Sequence, residues 1–195
     1  PYYNSNNVDD CIVNIGSIIV HECVHIWQRR DKEFFKGLYL DWNFKKYSNI
    51  QNFSYLKNKN RYNPDGTELK WVFTVPDTDQ EIIPMAVYSD TATNISDVNL
   101  VYVDLEKIGN HPIIPPIINV DYLKNNQEFI NFFGNIGGNN YHPNELSAEI
   151  TSIIVIQEMV KQNNINPSLE EKNDKLSYAS PASIILKKRF NTYSV

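Results

Sequence analysis

The longest helical pattern in the chain covers Val8 to Arg30, where apolar residues recur three or four positions apart. Large apolar residues crowd its second half: Ile18, Ile19, Val20, Val24, Ile26 and Trp27. The pattern predicts one long helix that is largely buried, with an irregularity near Gly16.

A second apolar run, from Ile150 to Val160, predicts another buried helix. Pro143 precedes this run at a distance that suits the first helical turn, where a missing N–H group needs no partner. The chain is therefore expected to place two long helices in its interior, far apart in sequence.

Residues 31–47 predict a further amphipathic helix, whose large apolar residues belong to the core: Phe34, Phe35, Leu38 and Trp42. Three β-branched runs separated by turn residues predict an antiparallel sheet: Leu69 to Val75, Ile82 to Tyr88 and Val98 to Leu105. A short helix is expected from Asn125 to Phe133. The sequence therefore predicts an α+β fold.

Turn residues separate these elements at two places. Residues 63–66 (Asn-Pro-Asp-Gly) predict a tight turn before the sheet. Residues 134–141 form a Gly/Asn-rich loop that leads into the second long helix, with Gly137 and Gly138 as a hinge. No internal repeat and no interdomain linker is evident, so residues 1–195 are expected to form a single domain.

The composition narrows the class of protein. The chain has 195 residues, of which 42% are hydrophobic, and a net charge of -5, as expected for a globular domain with a sizeable core. It has no basic face for binding nucleic acid, and the cluster Lys187-Lys188-Arg189 is equally typical of a solvated tail. Apolar runs shorter than a membrane span predict a protein that is not embedded in a membrane.

Cys11 and Cys23 are the two cysteines of the chain. On one helix they would lie about 18 Å apart, which is too far for a disulfide. This favours a reducing compartment such as the cytoplasm, or a particle assembled in the cytosol. The first residue is Pro1, with no signal region, so the chain is expected to be processed or a fragment.

Residues 21–25 have the sequence His-Glu-Cys-Val-His, which is the HExxH pattern. On a helix, His21 and His25 lie one turn apart on one face, so that both imidazoles can reach a single Zn²⁺ ion, with Glu22 beside it. If this helix is buried, the polar side chains of the motif also need hydrogen-bonding or metal partners, because leaving them unpaired costs several kcal/mol. The alternative is that the histidines are ordinary residues hydrogen-bonded to carbonyls. Cys23, off the histidine face, is expected to pack.

A third ligand must come from outside this motif. The metzincin pattern is excluded, because Gln28 and Asp31 stand where that class needs glycine and histidine. Far downstream, Glu145 and Glu149 are four residues apart, so they share one face of the second long helix. Two helices that each present such a pair can cross and assemble one site; the alternative is a solvated helix face.

These two segments, about a fifth of the chain, resemble the gluzincins, the zinc metallopeptidases that include thermolysin and the anthrax lethal factor. The resemblance implies a zincin-like fold in which His21, His25 and Glu145 bind zinc and Glu22 is the general base. It implies that Glu149 orients a ligating imidazole through its other nitrogen. A looser similarity extends to uncharacterised HExxH proteins of large DNA viruses.

Zincins also place a proton donor or oxyanion stabiliser over the open side of the metal. Tyr141 and His142, just before the second long helix, are the candidates for this role. Alternatively, Tyr141 simply packs, or His142 binds the metal in place of Glu145. His111 lies in a Pro-rich stretch and is expected in a loop.

Of the two glutamates, Glu145 lies in the first turn, nearest the place where a cleft would open, and is expected to bind the metal. Glu149, one turn deeper in the apolar helix, is expected to support the metal site without binding the metal. The leading hypothesis is zinc-dependent hydrolysis of a peptide or protein substrate; the alternative is a catalytically inactive zincin-like structural or binding protein.

The order of elements departs from that of the gluzincins, which generally place a sheet before the HExxH helix and bind substrate along its edge. Here the predicted strands follow that helix. The substrate-binding strand is expected in the sheet of residues 69–105 or in a segment before Pro1. The third alternative is that the strand is absent, which would count against peptidase activity while leaving the metal site intact.

Overall fold

The computed structural model describes residues 8–47, 60–61, 71–94, 96–108, 121–134, 141–167 and 178–193. These residues form an α+β fold, as predicted. The helices are α1 (Val8–Arg30), α2 (Lys32–Asp41), α3 (Leu105–Ile108), α4 (Gln127–Phe133), α5 (Pro143–Asn163) and α6 (Pro181–Thr192). The strands are β1 (Phe44–Lys46), β2 (Trp71–Thr74), β3 (Glu81–Tyr88), β4 (Val98–Asp104) and β5 (Asp121–Tyr122), and a 3-10 turn spans Leu123–Asn125.

The strands form one antiparallel sheet in the order β1-β2-β3-β4-β5. The longest pairing joins β3 to β4, from Ile82 opposite Asp104 to Tyr88 opposite Val98. The predicted antiparallel sheet is confirmed, and the short strands β1 and β5 extend it at its two edges. Within the described ranges, every strand follows α1 along the chain.

The helix predicted over residues 31–47 is shorter than expected. It ends at Asp41, and Asn43 adopts a left-handed conformation with φ 60°. The main chain then pairs with β2, with Phe44 opposite Phe73, so residues 44–46 are a strand and not helix. The predicted apolar face is confirmed, because Phe34, Phe35, Leu38 and Trp42 are all buried.

The two faces of the sheet are both buried, and alternate residues of β3 belong to different hydrophobic clusters. Ile82 and Ala86 join the main core, which the sheet shares with the helices. The most bulky fully buried side chains of that core are aromatic: Trp42, Phe44, Phe73, Phe129 and Phe133. On the opposite face, Ile83, Met85 and Val87 pack with residues of β2 and β4.

Helix α1 has the predicted bounds, but the prediction that it is largely buried is wrong. Its buried residues are Asp10, Val13, Val24, His25 and Gln28. Six large apolar side chains are exposed: Val8, Ile12, Ile15, Ile18, Ile19 and Ile26. The reason is that α5 packs against one face of α1 and leaves these side chains on the other side. Helix α1 therefore has apolar residues on every side but is not buried on every side.

Helices α1 and α5 approach each other closely at Gly16. The irregularity predicted there is absent, because α1 is one continuous helix. A Cβ atom at Gly16 would lie 2.9 Å from Cδ1 of Ile156. Next to it, the Ser152 hydroxyl donates to the main-chain oxygen of Ser17 over 2.8 Å. The lack of a side chain at Gly16 thus lets the two helices meet.

Helix α6 was not predicted, and the solvated tail expected around Lys187-Lys188-Arg189 is instead its last part. The helix begins at a capping box in which the side chains of Ser180 and Ser183 each accept from the other's main-chain N–H. Lys187 and Lys188 are exposed, as expected for a solvated segment. Arg189 pairs with Asp41 and lies 5.3 Å from the ring centre of Phe34.

Several other expectations have simple outcomes. Helix α4 confirms the short helix predicted before Phe133. The turn at residues 63–66, the hinge at Gly137 and Gly138, and His111 lie outside the described residues. None of the helices in the described ranges has both the length and the apolar character needed to cross a membrane.

Candidate metal centre

The candidate site lies between α1 and the first turn of α5, and local sequence explains how each helix presents its residues. In α1, His21 and His25 are one turn apart and share the face that meets α5. At the start of α5, His142 is the N-cap and Pro143 occupies the first turn, as predicted. This start places Glu145 in the first turn, opposite the two histidines.

One atom from each of three side chains converges at this crossing. The Nε2 atoms of His21 and His25 are 3.0 Å apart. The two carboxylate oxygens of Glu145 lie 3.4 Å from Nε2 of His21 and 3.6 Å from Nε2 of His25. These three side chains could hold a metal ion.

The separations of these atoms can be compared with those in a zinc site. Ligand atoms placed tetrahedrally at zinc's usual bond lengths lie about 3.3 Å from one another. The Nε2 atoms of the two histidines are 3.0 Å apart and Oε2 of Glu145 lies 3.4 Å from Nε2 of His21, close to that value, whereas the three ligand atoms together lie within 4.8 Å of one another. Two imidazole nitrogens and a carboxylate oxygen are also donors that zinc accepts. The donor set is therefore of a kind that can hold a metal ion, and zinc is one that accepts it.

The site is buried on one side and more open on the other. The side chains of His25 and Glu145 are 3% and 2% exposed, whereas that of His21 is 13% exposed and that of Glu149 30%. A buried carboxylate needs a charged or hydrogen-bonding partner, because an isolated charge in the interior is strongly disfavoured. His21 is such a partner for Glu145.

The protonation of His21 reflects this pairing. Burial alone would lower the pKa of His21, but hydrogen bonds and charge interactions with Glu145 and Glu149 outweigh it and raise the pKa to about 9. Without a metal, His21 is therefore protonated at neutral pH, and its charge occupies the space between the two carboxylates.

Glu149 contacts His21 from the side away from the ligand group. Its Oε2 lies 3.2 Å from Nδ1 of His21, the imidazole nitrogen that does not face His25. This is the contact that the predicted supporting role requires, and the role itself stays a prediction. The reasoning that put Glu149 deeper than Glu145 was wrong, because the first turn of α5 is buried and Glu149 is half-buried.

Glu22 and Cys23 lie on the exposed side of α1. Exposure of Glu22 is compatible with access to a water molecule, and its role as general base stays a prediction. Cys23 was expected to pack, and that prediction is wrong because α5 does not cover this side of the helix. Both cysteines are free thiols on α1, as predicted.

An open cleft of about 720 Å³ lies along the second half of α1. It is lined by Cys23, Ile26, Trp27, Arg30, Asp31 and Tyr193, and none of the candidate site residues lines it.

Tyr141 and His142 are both buried. Nδ1 of His142 accepts from the main-chain N–H of Asn144 over 3.1 Å, which makes this residue the helix cap. Glu145 and His142 were the alternatives for the third ligand. Among the described residues, the group that could hold a metal includes Glu145 and does not include His142. The oxyanion role of either residue stays a prediction.

Gln28 was not among the predicted site residues, although it is buried and contacts His25. Its Oε1 lies 2.9 Å from Nδ1 of His25. The available signal was helical spacing, because Gln28 follows His25 by three residues and His21 by seven and so shares their face.

Tyr39 of α2 was also missed. Its hydroxyl donates to Oδ1 of Asn144 over 2.9 Å, in the first turn of α5. Burial is the main reason that the pKa of Tyr39 is raised above its ordinary value, and the nearby Glu145 charge raises it further. Tyr39 therefore stays neutral and acts as a hydrogen-bond donor beside the site.

Comparison with protein-family models, with curated proteins and with solved structures gives no match for this chain. The resemblance to gluzincins accordingly rests on the two motif segments and stays a prediction.

Proposed function

We propose that the protein is a zinc-dependent peptidase whose metal is held by His21, His25 and Glu145. The observation that supports this most strongly is the convergence of the three side chains, which offer one ligand atom each within 4.8 Å of one another. Three protein ligands leave a fourth position for water or substrate, which is typical of catalytic zinc sites. Structural zinc sites usually have four protein ligands.

The roles follow from the chemistry of each residue. A bound zinc ion would polarise the scissile carbonyl and lower the pKa of a water molecule toward neutrality. Glu22 accepts a proton from the attacking water and delivers it to the leaving amine, as the new C–O bond forms and the C–N bond breaks. Tyr141 or His142 donates a hydrogen bond to the oxyanion.

Substitution Glu22→Gln tests the reaction. Hydrolysis of an unstructured protein should be abolished, because an amide cannot accept the proton, while bound zinc is preserved because Glu22 is not a ligand. Glu158→Gln is a matched control, since Glu158 is an exposed glutamate on α5. Full activity in the Glu22 variant would overturn the peptidase assignment.

A structural role is the second candidate, and the position of the site favours it to some extent. The three ligands join α1 to α5, so a bound ion would hold two long helices together. Metal analysis of the purified protein separates the possibilities. About one zinc per chain with hydrolysis supports the peptidase, and zinc without hydrolysis supports the structural role. A metal-free protein with unchanged folding would contradict both zinc-based candidates.

A further inference from the structure

Gln28 has its carboxamide buried between α1 and α5, and each of its polar atoms has a defined partner. The nitrogen Nε2 donates to the main-chain oxygen of Asn144 over 2.8 Å and to the hydroxyl of Ser147 over 2.9 Å. The oxygen Oε1 lies 2.9 Å from Nδ1 of His25. The amide therefore bridges a candidate ligand on one helix and the first turn of the other.

The orientation of this amide follows from its main-chain partner. A carbonyl oxygen only accepts hydrogen bonds, so the amide nitrogen of Gln28 must face Asn144. The opposite orientation would bring two oxygens together and leave both without a donor. The Ser147 hydroxyl itself donates to the same Asn144 oxygen over 3.0 Å, so it is free to accept from Gln28. Both contacts require Oε1 to point at His25.

The orientation of the Gln28 amide then determines the tautomer of His25. Since Oε1 of Gln28 is an acceptor, Nδ1 of His25 must carry the hydrogen of this bond. A neutral imidazole with hydrogen on Nδ1 has a bare lone pair on Nε2. That Nε2 atom is the one that faces His21 and Glu145. The amide thus presents the correct nitrogen of His25 to the site.

We infer that Gln28 is a positioning residue that holds His25 as the Nδ1–H tautomer and aligns its Nε2 with Glu145. The inference rests on the proposed function, because the bare nitrogen is what a zinc ion needs. Gln28 binds to the same turn of α5 that carries Glu145, so it also sets the spacing between ligands from two helices. Tyr39 ties this turn to α2 through its bond to Asn144.

The tautomer is measured directly in the metal-free, unsubstituted protein. A long-range proton–nitrogen NMR spectrum near pH 7.5 should show His25 with hydrogen on Nδ1 and a bare Nε2. Observation of the Nε2–H tautomer as the dominant form would overturn the inference. This measurement needs no variant and no bound zinc, so it stands even if the proposed function fails.

The variants Gln28→Leu and Gln28→Glu separate positioning from packing. Leucine removes the acceptor, so zinc affinity should fall about 10- to 100-fold and His25 should lose its tautomer preference. Glutamate retains an acceptor for Nδ1 and should keep the tautomer, although its second oxygen would meet the Asn144 carbonyl. Rescue of the tautomer by glutamate is a result that packing alone would not produce.

Gln157→Leu is the matched control, because it also removes a glutamine amide that donates to a main-chain oxygen, that of Tyr178, over 2.9 Å. It should leave zinc affinity unchanged. Equal losses of zinc affinity in the Gln28 and Gln157 leucine variants, or none in either, would overturn the inference. If Gln28→Leu does not fold, the tautomer in the unsubstituted protein decides. If the unsubstituted protein binds no zinc, the proposed function fails. The tautomer of His25 then still tests the positioning role of Gln28 by itself.

Discussion

At the scale of single residues, the site is organised around competition between a proton and a metal for the same space. Without zinc, protonated His21 satisfies Glu145 and Glu149. A metal ligand must be deprotonated, so zinc has to displace the proton from His21 when it binds. Stability and metal affinity should therefore respond to pH in opposite directions.

The first prediction concerns the metal-free protein. Because the folded-state pKa of His21 is raised from 6.5 to about 9, its stabilising contribution is complete below about pH 6.5 and is lost as pH rises through about 9. Thermal unfolding of chelator-treated protein should show Tm falling over this window. His21→Asn, which cannot take up the proton, should remove that part of the dependence; an unchanged pH profile in this variant would contradict the account.

The second prediction concerns zinc binding by the same group. Affinity should rise about tenfold per pH unit between pH 6.5 and 8, because one proton leaves His21 for each zinc bound. Calorimetric titrations in buffers of different ionisation enthalpy should report about one proton released per zinc near pH 7. Zinc uptake without proton release would mean that His21 is not a ligand.

The third prediction separates the two glutamates. Glu145→Ala should remove most zinc affinity, because it deletes a ligand and leaves the histidines without their buried anion. Glu149→Ala should lower affinity about 10- to 100-fold, since only the support of His21 is lost. Competition with a chromophoric chelator measures both. A larger loss in the Glu149 variant than in the Glu145 variant would reverse the assigned roles.

The sequence predicts the site well where the information is local. The spacing of His21 and His25 and the paired acids of α5 identified the residues that converge. Gln28 was missed because its role depends on a carbonyl and a hydroxyl of α5, which no local pattern brings to it. The relative depth of Glu145 and Glu149 was wrong for a similar reason, because the depth of a helix end depends on what packs over it.

At the scale of elements, the approach of α1 to α5 determines whether ligands from two helices can meet. Gly16 lies one and a half turns before His21, at the point where Ile156 reaches α1. The Ser152 bond to Ser17 lies at the same crossing. The helix spacing there therefore controls the distance from the histidines to Glu145.

The fourth prediction tests this spacing. Gly16→Leu should push the helices apart, destabilising the protein by about 1–3 kcal/mol and lowering zinc affinity. Gly16→Ala should cost little, because it meets only the flexible end of Ile156 and gains helix propensity. Adding Ile156→Ala to the leucine variant should restore part of the loss. Unfolding and zinc titrations that match the unsubstituted protein would contradict a spacing role for this crossing.

The elements whose apolar residues recur with a strong period were predicted from the sequence. The elements that form because of tertiary contacts were not. The bounds of α1 and the start of α5 follow from apolar spacing and from Pro143. Strands β1 and β5 have three and two residues, too few to show a period, and exist because neighbouring strands pair with them. Helix α6 mixes apolar and charged residues without a strong period, and its clearest sequence signal is the Ser180 cap followed by Pro181.

At the scale of the whole molecule, the candidate site links three helices on one side of the main core. Helix α1 supplies both histidines, α5 supplies both glutamates, and α2 contributes Tyr39. The exposed part of α1 carries Glu22 and Cys23, and Cys23 lines a cleft. The sequence predicted the α+β class, but not which face of α1 would be covered, because that depends on how the helices pack.

The most direct test of the account is a crystal structure of the zinc-loaded protein with anomalous data at the zinc edge. The account predicts one zinc ion about 2.0–2.2 Å from Nε2 of His21, Nε2 of His25 and a carboxylate oxygen of Glu145. Nδ1 of His25 should still contact Gln28. A zinc ion held by other residues, or Glu149 in the coordination sphere with Glu145 turned to solvent, would contradict it.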